Sequence, residues 1–224
     1  MKLFKNIKKW LENQEHLFYL FLLILIVPNI ILCFTEPMPV VAKVCNVLLP
    51  FAFYYLLMTL SRNCGKMFWI LFLFIFFGAF QIVLLYLFGQ SIIAVDMFLN
   101  LVTTNSSEAM ELLDNLVPAL VSVIILYIPA LILAAISIIK KRKLSPEFIR
   151  RERKKAWIVL LIGLISLGAA YGLDKRYELK SDLYPANVCY NVALAFQRNA
   201  QTRTYHRTSE NLSLIHISEP TRLR

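Results

Sequence analysis

Five apolar runs, each close to the length that crosses a bilayer, dominate this chain. A helix needs roughly 20 apolar residues to span the hydrocarbon core. Runs at about 17–34, 40–60, 67–88, 117–139 and 157–173 come near that length. A transmembrane β-barrel would instead show short alternating segments, so the runs predict helices. The composition points the same way, at 58% hydrophobic with a mean hydropathy of +0.62. The expected fold is therefore all-α membrane. It has five transmembrane helices, an external polar and amphipathic helical segment, and a short connector outside the membrane.

The formal net charge of +10 could suggest a nucleic-acid partner. Its distribution excludes that reading, because the cations cluster beside the spans. Lys2, Lys5, Lys8 and Lys9 precede the first span. Arg62 and Lys66 lie between the second and third, and nine Lys or Arg fill Lys140–Lys155. Up to the end of the fifth span, these fifteen face Lys43 alone on the other side. The positive-inside rule puts the N-terminus and the basic loops in the cytoplasm. Both the 89–116 segment and everything after Leu173 then lie outside.

Residues 1–16 alternate lysines with Leu3, Phe4, Ile7, Trp10 and Leu11. That spacing predicts a basic amphipathic segment on the inner leaflet, not a cleaved signal. Cys33, Cys45, Cys64 and Cys189 have no metal-ligand spacing and read as small apolar residues. Residues 17–173 form the membrane domain, and 174–211 a polar connector. The connector carries Tyr177, Tyr184, Tyr190 and Tyr205, with a turn signal at Tyr184-Pro185-Ala186-Asn187.

The polar segment between the third and fourth runs holds the candidate site. Asn100, Thr104 and Glu108 are spaced four apart. On a helix each such step turns about 400°, so the three fall within an arc of about 80°. An amide, a hydroxyl and a carboxylate in line suit an ammonium-bearing headgroup or a phosphate ester. A solvated surface helix also shows such rows.

The pattern Asn100-x3-Thr104-x3-Glu108, just after the third span, resembles the membrane domain of the lipid A phosphoethanolamine transferases. These are sulfatase-like enzymes of the alkaline phosphatase superfamily and include the colistin-resistance enzymes. The five-span layout and the connector with Tyr184-Pro185-Ala186-Asn187 share the resemblance, which covers residues 1–211. It implies that Asn100, Thr104 and Glu108 line the site of the phosphatidylethanolamine donor, with Glu108 near the amine. It implies a bacterial inner-membrane protein that modifies lipid A in lipopolysaccharide, with the connector in the periplasm. It also implies a periplasmic domain in which zinc activates a threonine nucleophile.

That apparatus is not in this chain. No residue here is assigned as catalytic or as a metal ligand, and the chain by itself is expected to be inactive. Two other classes compete. One is a transporter component, against which the spans hold few ionisable groups and no internal repeat. The other is a ligand-free membrane anchor or assembly subunit.

Residues Leu212–Arg222 read LSLIHISEPTR. All eleven match, codon for codon, the translation of a common transposase-based sequencing adapter. Residues 212–224 are therefore expected to be an artefactual tail, and native sequence is expected to stop near Asn211.

Overall fold

The computed structural model describes residues 10–35, 37–88, 106–194, 196–198 and 200–201. For 81, 84–88, 106–116, 119 and 181 it describes the backbone alone. Every regular element among the described residues is helical.

Helix α1, Gln14–Thr35, starts where the Asn13 side chain accepts a hydrogen bond from Glu15 N at 2.9 Å. It runs through Pro28, which a membrane helix tolerates when its neighbours satisfy the freed backbone. Pro37 and Pro39 cannot continue a helix and set the turn into α2, Val40–Met58.

Helix α3, Cys64–Ile70, is capped by Asn63, whose side chain accepts from Lys66 N at 2.8 Å. Leu71 separates it from α4, Phe72–Phe88, a helix of 17 residues. The ladder continues across the break, with Leu71 N bonded to Met67 O and Ile75 N to Leu71 O.

Helix α5, Ser106–Ile139, is 34 residues long and passes through Pro118 and Pro129. The polar residues 106–116 are thus continuous with the fourth apolar run instead of forming a separate segment. The helix ends in a Schellman motif. Arg142 N bonds Ser137 O, Lys141 N bonds Ile138 O, and Lys141 takes φ of 48°.

Helix α6, Pro146–Leu173, begins eleven residues before the apolar run at Trp157. Its N-cap Ser145 accepts from Phe148 N, Pro146 stands at the first helical position, and Glu147 lies in the first turn. These signals absorb most of the basic cluster into the helix. A short α7, Leu179–Asp182, follows, and residues 186–194 are helical again.

Among the described residues four helices are long and apolar enough to cross a membrane: α1, α2, the Leu120–Ile139 part of α5, and α6. Helix α1 sits centrally, against α2 on one side and α3, α4 and α5 on another, while α6 packs chiefly on α2. Gly65 allows the closest approach. A side chain there would collide with the Ala134 carbonyl, so its absence lets α3 and α5 meet backbone to backbone.

The loops gather at two ends. At the basic end, Leu144 N donates to Arg62 O at 2.7 Å, and Arg62 Nε donates to Leu144 O at 3.0 Å. Asn63 Nδ2 reaches Ser137 O and Arg142 O, and Ser137 Oγ donates to Gln14 Oε1 at 2.7 Å. The turn at Pro37–Pro39 and the connector after Leu173 meet at the opposite end.

Candidate functional site

The predicted row falls mostly outside the described residues. Asn100 and Thr104 lie there entirely. Glu108 is the third residue of α5, with its backbone helical. It stands nine residues before the apolar run that starts at Val117, or about 14 Å along the axis. It is therefore at the far end of α5 from the basic loop.

Apolar helices seldom carry asparagine, because an unsatisfied amide in hydrocarbon is costly. Two asparagines nevertheless interrupt the first two runs, and both are buried. Asn29 of α1 donates through Nδ2 to Asn46 O and to Tyr184 O, each at 2.9 Å. Asn46 of α2 donates to Asp182 O at 2.8 Å and to Met38 Sδ at 3.2 Å. Its Oδ1 accepts from the Tyr177 hydroxyl at 2.8 Å. The connector is thus held on the bundle by amides inside the helices.

Tyr184 goes deepest. It is fully buried, and its hydroxyl donates to Phe74 O at 2.7 Å. Gly78 of α4 makes the room, since a Cβ there would sit 2.9 Å from Pro28 Cγ and 3.0 Å from the Tyr184 hydroxyl. Burial pushes the Tyr177 and Tyr184 hydroxyls above their ordinary range, so both remain protonated donors at neutral pH. Sequence reasoning marked the Tyr184-Pro185-Ala186-Asn187 turn but passed over Asn29 and Asn46. A polar residue within a span was the signal available.

Beside this junction lies a cavity of about 500 Å³ between the Pro37–Pro39 turn and the start of the connector. Asp174, Arg176 and Asp182 line it together with Met38, Ala42 and Tyr177. Asp174 Oδ1 accepts from Arg176 N at 3.0 Å, and Asp182 Oδ2 from Glu178 N at 2.8 Å. These bonds orient both carboxylates. Two acids and one guanidinium on an apolar floor can bind a ligand carrying both an amine and an anionic group. Among the described residues no group of three His, Cys, Asp or Glu side chains could hold a metal ion. No zinc-dependent step is derived from them.

The basic end holds a second buried polar centre. Glu152 of α6 is 0% exposed. It accepts hydrogen bonds from the Tyr55 hydroxyl, from Arg151 Nε at 2.9 Å and from Lys155 Nζ at 3.0 Å. Those donors offset the cost of burying its charge and tie α6 to α2.

No protein-family model, curated protein or solved structure matches this sequence.

Proposed function

We propose that this chain is the membrane domain of a phosphoethanolamine transferase. In this reading the near-continuous Cys64–Phe88 helical stretch is a fifth crossing. The basic end faces the cytoplasm, and the connector lies on the periplasmic face of the bacterial inner membrane. Phosphatidylethanolamine is the donor and lipid A the acceptor. A periplasmic domain encoded beyond residue 211 supplies the zinc-activated threonine. The part described here binds donor lipid and anchors that domain.

The observation that carries the reading is the Asn100, Thr104, Glu108 row, whose last member lies in the first turn of α5, nine residues before the apolar run. Its end of α5 lies opposite the basic loop. The cavity lined by Asp174, Arg176 and Asp182 adds charges of both signs at the connector junction. A zwitterionic headgroup needs such a pairing, with a carboxylate for the ammonium and a cation for the phosphate.

Glu108→Gln in the full-length gene tests it. The expected result is loss of phosphoethanolamine on lipid A with normal membrane expression. Unchanged lipid A modification would sink the donor-site assignment and favour a ligand-free anchor. A gene without a threonine nucleophile and zinc ligands downstream of Asn211 would remove the transferase reading altogether.

A further inference from the structure

Helix α6 sorts its cations. Arg151 and Lys155 bond to Glu152, and Arg153 donates to Thr59 O at 2.6 Å. Those three serve the fold. Arg150 and Lys154 are exposed and have no ion pair or hydrogen bond among the described residues.

These two cations head a continuous outer stripe. Arg150, Lys154, Ile158, Leu161 and Ile165 fall within an arc of about 80° on an α-helix. Ile158, Leu161 and Ile165 are 60%, 61% and 64% exposed. Helix α6 packs chiefly on α2, and its far side is exposed among the described residues. From Lys154 to Ile165 the helix rises about 16 Å, close to the hydrocarbon depth of one leaflet. Exposed Trp157 stands between the cations and the apolar part, where an indole marks the headgroup level.

The geometry points to a binding site for one anionic glycerophospholipid on the outer stripe of α6. Its phosphate sits between Arg150 and Lys154, and an acyl chain lies along Ile158, Leu161 and Ile165. Topology-setting charge alone needs no particular helix face. Here two α6 cations with no partner among the described residues share the face of the exposed apolar stripe, and they add a net positive charge that a zwitterionic lipid cannot fully match. The site is at the basic end and does not depend on the transferase reading.

The test is native mass spectrometry of the full chain in detergent, titrated with phosphatidylglycerol or phosphatidylcholine. The wild type should retain one phosphatidylglycerol about tenfold more tightly than phosphatidylcholine, as two cations near an anionic phosphate imply. R150Q/K154Q should abolish that preference, while K140Q/K141Q, with the same change in net charge, should keep it. Equal retention of both lipids by the wild type would overturn the proposal. So would equal losses in the two double variants, or a dimer that buries α6 and excludes lipid. If R150Q/K154Q does not fold, salt decides on the wild type. Release of phosphatidylglycerol as ionic strength rises supports the site, and salt-insensitive retention refutes it.

Discussion

Asn29, in the middle of the first apolar helix, donates a hydrogen bond to the backbone carbonyl of Tyr184, 155 residues later in the chain. The same amide bonds Asn46 O, so one side chain joins α1, α2 and the connector. A polar group at that depth persists because each of its donor hydrogens has an acceptor. Its effect is to make the segment after the last span part of the bundle.

Asn29→Ala removes both bonds and leaves the Tyr184 carbonyl buried without a donor. A loss of about 1–3 kcal/mol in stability is expected. Thermal unfolding in detergent should show a lower midpoint, and trypsin should cut faster at Arg176 and Lys180. An unchanged midpoint with unchanged proteolysis would mean the junction is held elsewhere.

Tyr55 and Glu152 should be coupled. A buried hydroxyl–carboxylate bond contributes about 1.5–3 kcal/mol, so Tyr55→Phe and Glu152→Ala should each destabilise the bundle. Their double variant should cost clearly less than the two single costs added. Arg151→Gln should lower the midpoint less than either, because that guanidinium is 59% exposed and Tyr55 and Lys155 still bond the carboxylate. Denaturant titration of the four variants checks this, and additive costs would contradict a direct Tyr55–Glu152 interaction.

Lys141 occupies a left-handed position that glycine fills without steric cost. Lys141→Gly should therefore raise stability by about 1 kcal/mol through relief at the α5 C-terminus. A lower midpoint would show that the lysine side chain has a partner worth more than the strain.

Much of the architecture was legible in the chain. Apolar run length is a local property, so α1, α2, the apolar part of α5 and that of α6 could be placed without coordinates. The Ser145-Pro146-Glu147 signal for an early start of α6 was also present. Charge density drew the sequence reading toward a loop, although Arg, Lys and Glu are good helix formers. The candidate row was legible as spacing, but two of its three members lie outside the described residues.

The sequence by itself determined that this is a helical chain with several membrane-length apolar segments and cations gathered at their ends. Periodicity, hydropathy and charge are read residue by residue and need no partner. Only the tertiary structure decided which polar groups meet. Asn29, Asn46 and Tyr184 are far apart in the chain, and Glu152 is surrounded by like-looking charged neighbours. What each does depends on which donor or acceptor packing brings within 3 Å, and linear spacing does not carry that information.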